Sequence, residues 1–243
     1  MIAFITWKWG TKYGAEDVNR WARGVLRYSH LQARAYCVTD DPDGISPDVA
    51  IIHPAYFPDP EVVQRLLCYK DGCYARLFMF SDYFQGMMAA AGISHVICTD
   101  LDGVITGDLT TLAPLDGFAI AYGIHVINCR YNGSIVAWRI GRKRRLWHDF
   151  RLHVAEAVAW DPGSGPGEGK IYWGTDQSWY WHLREPSDVH LTPAQGIYGY
   201  MKPGWPPGGD LPANARAVFF PGARDPRNPQ IQAASPWIVE HWR

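Results

Sequence analysis

The order of apolar and helical segments in the first hundred residues is the strongest constraint on how this chain folds. Short runs of β-forming residues occur at 2–7, 35–39, 49–53 and 95–99. Between the first two runs, apolar residues from Val18 to Leu26 recur at the spacing of one helix face. Residues 61–91 follow a mostly helical pattern. Apolar strands that alternate with helices predict an α/β fold with a mainly parallel sheet flanked by helices.

The second half of the chain is less regular. The patterns predict strands at 118–122, 135–140 and 217–220, and helices at 142–159 and 175–183. Thr175 is the expected N-cap of the last helix, because a threonine hydroxyl can accept a hydrogen bond from a backbone N–H in the first turn. The 243 residues suffice for one α/β domain with a sizeable core.

Charge and hydropathy exclude several classes of protein. The formal net charge is −1, which argues against a nucleic-acid partner, and the basic run at 142–145 is expected to be a solvated helix face. No run of eighteen apolar residues occurs, so no membrane span or signal peptide is expected. The five cysteines form no CxxC pair and are expected to be reduced core residues. These features predict a cytoplasmic protein.

The sharpest chemical feature is the motif Asp100-Leu101-Asp102 that follows the apolar run 95–99. In a parallel sheet, the ligand crevice lies beyond the carboxyl ends of the strands, which is where this motif is expected. Two carboxylates one residue apart can both approach a hard cation such as Mg²⁺ or Mn²⁺. A cation held there can bridge the phosphates of a nucleotide and neutralise a departing diphosphate.

A phosphatase is the main competing hypothesis for this motif. Haloacid-dehalogenase-like phosphatases carry a similar DxDG sequence, in which the first aspartate, here Asp100, is the nucleophile. That motif normally ends the first strand of its domain, whereas about a hundred residues of α/β pattern precede it here. The phosphatase site also needs a later acidic pair. Neither the DD nor the GDxxxD form occurs after Asp102.

Four segments in order carry a more specific resemblance. The first joins Arg76–Asp82 to His95–Leu109, with an arginine-led helix, a strand that ends in Asp-x-Asp, and then Gly-Asp-Leu. The others are Tyr131–Val136, Gly174–Gln177 and Val218–Gly222 with a nearby proline. Together they resemble glycosyltransferase family eight, the group of glycogenin-like and bacterial galactosyltransferases. The resemblance spans nearly the whole chain.

This resemblance implies a fold and an activity. The fold would be a single GT-A domain, with a nucleotide-sugar-binding half at 1–107 and an acceptor-binding half at 108–243. The enzyme would transfer a hexosyl group from a nucleotide-diphosphate sugar, a UDP-sugar in particular, to a hydroxyl of a sugar, lipid or protein acceptor. Mn²⁺ or Mg²⁺ would be the cofactor, with Asp100 and Asp102 as metal ligands.

The resemblance also assigns candidate contacts to the donor. Residues of the first strand and the following loop would hold the nucleobase; they are Thr6, Trp7 and Tyr13. Other donor-binding candidates come from the four segments; they are Arg76, Asp100, Leu101, Asp102, Asn132, Ser134, Gly222 and Arg224. Asp176 and Asn132 are the candidate catalytic residues. Packing, surface ion pairs and a carboxylate at a helix N-terminus remain the structural alternatives for these side chains.

Two departures from the family concern the diphosphate and the metal. Aligned on Gly222, the family's metal-binding histidine and phosphate-binding lysine correspond to Phe219 and Asp225. The third protein ligand of the metal is therefore open, with His241 as a remote candidate. Arg224 or Arg227 could replace the lysine, since a guanidinium binds phosphate oxygens through two N–H groups. A non-catalytic nucleotide-sugar-binding protein consequently remains a second hypothesis.

Overall fold

The computed structural model describes residues 1–113, 117–124, 130–157, 175–207 and 209–243. The strands are β1 (Ile2–Lys8), β2 (Ala33–Thr39), β3 (Val49–Ile52), β4 (His95–Thr99), β5 (Val104–Ile105), β6 (Phe118–Tyr122), β7 (Tyr131–Arg139), β8 (Val189–Leu191), β9 (Ile197–Gly199) and β10 (Ala217–Phe219). The α-helices are α1 (Ala15–Arg27), α2 (Pro60–Leu67), α3 (Asp82–Ala90), α4 (Arg145–His148), α5 (Leu152–Ala157), α6 (Asp176–His182), α7 (Pro229–Ala234) and α8 (Trp237–His241). Four 3₁₀ segments lie at Pro54–Tyr56, Lys70–Phe80, Thr110–Leu112 and Pro193–Gln195.

Seven strands form the central sheet in the order β3-β2-β1-β4-β7-β6-β8. The first four of these are parallel to one another, β7 is antiparallel to both β4 and β6, and β8 is parallel to β6. The sequence prediction of an α/β fold with a mostly parallel sheet is therefore confirmed. The chain proceeds outward from β1 to β3 and then returns to place β4 on the other side of β1. This reversal makes the crevice between β1 and β4 the topological switch point.

Both faces of the sheet are buried, which explains why its first strands read as continuous apolar runs. Every residue of β1 is buried. Helix α1 buries Val18, Trp21 and Val25 against one face, in a cluster with Phe4. The 3₁₀ segment Lys70–Phe80 supplies much of the other face, which is rich in aromatic side chains. The two layers hold the carboxyl ends of β1 and β4 in a fixed relation.

A second, three-stranded sheet lies directly behind the aspartate motif. Its order is β5-β10-β9, with β10 antiparallel to β5 and parallel to β9. Strand β5 begins two residues after Asp102, and the ring of Phe219 in β10 packs against Gly103. A Cβ atom at Gly103 would approach that ring to 2.7 Å. The glycine after the motif therefore allows this turn to lie close to the small sheet.

Several boundaries differ from the sequence predictions. The helical pattern at 61–91 is divided into α2, a long 3₁₀ segment and α3. The 3₁₀ segment contains a turn at Gly72, whose φ is +73° and against which Trp9 packs, and Ser81 caps the start of α3. The expected helix at 142–159 is two short helices, α4 and α5, and its last two residues lie outside the described part. The basic run within it is not a uniform solvated face, since the side chain of Lys143 is only 5% exposed and pairs with Asp188 at 2.7 Å.

The cysteines also differ in part from expectation. Cys37 and Cys98 are free and buried, as predicted. Cys68 is exposed and Cys73 is half-buried, so these two are not core residues. Cys129 lies outside the described residues. Within the residues that the structure describes, no helix combines the length and apolar character needed to cross a membrane.

Candidate functional site

A cleft of about 550 Å³ opens at the switch point between β1 and β4. Trp7 and Thr99, at the ends of these two strands, lie in its wall together with the Asp100–Asp102 turn. The loop Gly10–Tyr13, which leads from β1 to α1, forms another side. The cleft is large enough for a ligand of the size of a nucleotide.

Arg76 organises the floor of the cleft from within the 3₁₀ segment. Its side chain is only 10% exposed, and Nη1 donates to Oδ1 of Asp100 at 2.5 Å. The same nitrogen donates to the carbonyl of Gly133 at 3.2 Å. Nη2 donates to Oδ2 of Asp176 at 2.6 Å. Although burial alone lowers the pKa of Arg76, the carboxylates of Asp176 and Asp100 hold it above its ordinary value, so the guanidinium stays charged.

Asp176 occupies the far side of this network and is fully buried. Thr175 caps helix α6 as the sequence predicted, with its hydroxyl accepting from Ser178 N, and Asp176 is the first helical residue. Oδ1 of Asp176 accepts from the backbone N–H of Gln177 at 2.9 Å. Burial raises the pKa of Asp176, and the ion pair with Arg76 opposes that shift. In this arrangement Asp176 orients Arg76, while the neighbouring Gln177 lines the cleft.

Tyr13 covers the second carboxylate of the motif. Its hydroxyl donates to Oδ2 of Asp102 at 2.7 Å. Burial and repulsion from Asp100 raise the pKa of Asp102 to about 6, against the opposing hydrogen bond from Tyr13. Burial and the nearby Asp102 carboxylate raise the pKa of Tyr13 above its ordinary value, so the phenol remains a donor. The two carboxylates are close enough to repel each other, and a cation would relieve that repulsion.

The donor set fits a hard divalent cation in part. Asp100 and Asp102 each have one oxygen in a hydrogen bond, and within the described residues their second oxygens, Oδ2 and Oδ1 respectively, accept none. Free oxygens on two carboxylates that line one cleft suit Mg²⁺ or Mn²⁺. In the described ranges no group of three or more His, Cys, Asp or Glu side chains is placed to hold a metal. Such a cation would need oxygens from a ligand or water to complete its shell.

Three predicted contact residues lie beside the cleft. Thr6 is buried, and its hydroxyl donates to the carbonyl of Thr99 at 3.1 Å, so it joins β1 to β4. Asn132 is buried in β7, where its Oδ1 accepts from Ser134 N at 2.9 Å and its Nδ2 contacts Oε1 of Gln177 at 3.4 Å. Ser134 pairs with the motif through its carbonyl, which accepts from Asp100 N at 3.0 Å.

The C-terminal segment approaches the site through Arg227. The guanidinium of Arg227 donates to the carbonyl of Lys12 at 2.8 Å and lies 4.7 Å from the centre of the Tyr13 ring. Gly222 and Arg224 are exposed and lie outside the cleft wall. Phe219 is 2% exposed and belongs to the core beneath the motif.

His241, the remote candidate for a third metal ligand, lies outside the cleft wall, whereas three residues that were not among the candidates line it. His241 bonds through Nδ1 to the hydroxyl of Tyr28 at 2.7 Å and is not part of the cleft wall. Trp9, Lys12 and Gln177 do line the cleft. Trp9 and Lys12 follow the carboxyl end of β1, so the crevice rule could have identified them. Gln177 ends the segment Gly174–Gln177, one of the four that carry the resemblance, so that motif could have identified it.

Comparison with known proteins adds no family assignment. No protein-family model matches the chain, and no curated protein matches it at a significant level.

Proposed function

We propose that this chain is a metal-dependent glycosyltransferase of the GT-A fold that uses a nucleotide-diphosphate sugar, a UDP-sugar in particular. One observation carries the proposal. Asp100 and Asp102 face a nucleotide-sized cleft at the switch point, with one unbonded oxygen each among the described contacts. The motif resemblance, which spans both halves of the chain, supplies the activity. Residues 1–107 would bind the nucleotide sugar, and residues 108–243 would complete the acceptor side.

The residues of the cleft can be given roles in this reaction. When bound, Mn²⁺ or Mg²⁺ would neutralise charge on the leaving diphosphate. Asp100 and Asp102 would hold the cation, and Arg76, fixed by Asp176, would hold Asp100 in its orientation. Trp9, half-buried in the cleft wall, would offer an aromatic surface to the nucleoside or the sugar, whereas Trp7 is 5% exposed and belongs mainly to the core. Gln177, which lines the cleft, would donate or accept hydrogen bonds with the transferred sugar.

A non-catalytic nucleotide-sugar binder is the second candidate. It is favoured by the apolar, buried Phe219 at the position that corresponds to a histidine ligand in glycosyltransferase family eight. The phosphatase hypothesis is less favourable, because Asp100 follows the fourth strand and is paired with the buried Arg76. Turnover distinguishes these functions. Metal-dependent hydrolysis or transfer of a UDP-hexose indicates a transferase, and cleavage of simple phosphate monoesters that is lost in Asp100→Asn indicates a phosphatase.

The central test is calorimetric titration of UDP with and without Mn²⁺, on the wild type and on Asp102→Asn. Two carboxylates leave most of a six-coordinate shell to other ligands, so the metal should bind better once a diphosphate adds its oxygens. Linkage then requires the metal to strengthen UDP binding by the same factor, with an expected coupling of about 1–3 kcal/mol in the wild type. Asp102→Asn should abolish this coupling.

A matched control is Asp40→Asn, since Asp40 is exposed at the end of β2 and outside the cleft wall. This variant should retain the full coupling. GDP, ADP and CDP, titrated with Mn²⁺ in parallel, test the preference for uridine. UDP affinity that is the same with and without metal in all three proteins would refute the metal–diphosphate site, and the proposed transferase with it.

A further inference from the structure

The cationic side chains that line the cleft differ in whether a carboxylate binds them. In the part of the chain that the structure describes, the cleft wall contains two cationic side chains, Lys12 and Arg76. Both terminal nitrogens of Arg76 are bound to carboxylates, at 2.5 Å to Asp100 and 2.6 Å to Asp176. Arg76 would have to release one of these partners to bind a phosphate group through two N–H groups. It is therefore a positioning residue for Asp100.

Lys12 is the other cationic residue of the cleft wall. It is exposed in the loop between β1 and α1, and its charge acts on the Asp102 and Asp225 carboxylates, although no carboxylate in the described ranges lies within ion-pair distance of its ammonium. Its ammonium lies 4.7 Å from the centre of the Tyr13 ring. The hydroxyl of that ring is bonded to Asp102, so the ammonium is held beside the carboxylate pair. A cation without a carboxylate partner at this point is available to an anionic ligand.

The C-terminal segment fixes the backbone of this loop. Arg227 binds Asp225 through Nε and Nη2, the latter at 2.7 Å, and its Nη1 donates to the main-chain carbonyl of Lys12 at 2.8 Å. Arg227 is thus occupied by Asp225 and by the loop. Arg224 is exposed and does not line the cleft. Of the four cationic residues Lys12, Arg76, Arg224 and Arg227, Lys12 is the one that both lines the cleft and has no carboxylate within ion-pair distance among the described contacts.

We propose that Lys12 binds the diphosphate of the nucleotide, with its ammonium donating hydrogen bonds to phosphate oxygens next to the metal. Arg227 serves this contact by holding the Lys12 backbone. The proposal rests on the proposed function, because it requires a diphosphate ligand at Asp100 and Asp102. It assigns the phosphate-binding charge to the loop after β1, although the resemblance placed it in the C-terminal segment.

The test is calorimetric titration of inorganic pyrophosphate, UDP and uridine, each with saturating Mn²⁺, on the wild type and Lys12→Met. The substitution removes the charge and retains much of the aliphatic side chain, and an exposed loop position should not disturb folding. Affinity for pyrophosphate and UDP should fall about tenfold, as expected from the loss of one charge-assisted hydrogen bond. Uridine, which carries no phosphate, should bind both proteins equally. Lys12→Arg should recover most of the loss.

Lys202→Met is the matched control, since Lys202 is half-exposed and lies outside the cleft wall. It should bind all three ligands as the wild type does. If Lys12→Met binds pyrophosphate and UDP as tightly as the wild type, the role of Lys12 is refuted while the proposed function stands. If the wild type binds neither pyrophosphate nor UDP in the presence of Mn²⁺, the proposed function fails and this inference fails with it.

Discussion

Replacement of Asp102 by asparagine should stabilise the ligand-free protein while it abolishes metal-coupled binding. Burial and repulsion from Asp100 raise the pKa of Asp102 from its ordinary 3.8 to about 6 in the fold. Because the folded pKa is the higher one, the folded state binds the proton more tightly than the unfolded state does. The resulting penalty is absent below pH 3.8, grows as the pH rises, and is complete above about pH 6.

The size of this effect follows from the shift. A difference of about two pKa units, at 1.36 kcal/mol per unit, corresponds to about 3 kcal/mol, and solvent screening at the cleft reduces it to about 2 kcal/mol. Asparagine is neutral at every pH and can still accept the hydrogen bond from Tyr13. Asp102→Asn should therefore match the wild type near pH 4 and exceed its free energy of unfolding by about 2 kcal/mol at pH 7.

Urea denaturation of both proteins at intervals from pH 4 to pH 8 measures this difference. Other carboxylates titrate in both proteins, so their contributions cancel in the comparison. Asp40→Asn, at an exposed position, is the control and should leave the free energy of unfolding within about 0.5 kcal/mol of the wild type. A difference between Asp102→Asn and the wild type that does not change with pH would refute the electrostatic argument. So would a loss of stability at pH 7.

Two further substitutions test the network and the core behind it. Asp176→Asn should lower the free energy of unfolding by about 3 kcal/mol, because it removes a fully buried partner of Arg76; the exposed Asp82→Asn should cost under about 1 kcal/mol, both measured by urea denaturation. Phe219→His should cost about 2–4 kcal/mol, because it places an imidazole in an apolar core. The same variant should leave the affinity for Mn²⁺ unchanged in calorimetry, since Phe219 does not line the cleft, and a gain in affinity would contradict this geometry.

The elements that the sequence predicted well are those whose signal is local and repeated. Strands β1 to β4 are apolar through most of their length because both sheet faces are buried, and their positions differ from the structure by at most two residues. Strands β5, β8 and β9 have two or three residues each, which is too short for any periodicity. They form only because neighbouring strands from distant parts of the chain pair with them.

In strand β7, a glycine beside the candidate site weakened the strand pattern in the sequence. The sequence predicted its start at residue 135, but it begins at Tyr131. Gly133 weakens the strand pattern, since glycine has little β propensity. A Cβ atom at this position would lie 3.0 Å from Nη2 of Arg76 and 3.1 Å from Oδ2 of Asp176. The glycine is therefore explained by the ion-pair network that passes beside it, which no local pattern reveals.

The candidate site likewise combines residues that a local sequence pattern indicates with residues that only the fold brings together. Asp100 and Asp102 are neighbours in sequence at the end of an apolar strand, so spacing alone indicated them. The network that holds Asp100 joins Arg76 to residues 24 and 100 positions away, and its existence depends on β7 pairing with β4 and on α6 packing against β7. Sequence reasoning considered Arg76 as a partner either of the aspartate motif or of the donor phosphates, and Asp176 as a separate contact to the sugar or acceptor. In the fold, Asp176 and Asp100 lie at the two ends of one buried guanidinium. Charge that enters the cleft at Asp100 is therefore coupled to the core of the protein at Asp176, and a bound cation would act on both.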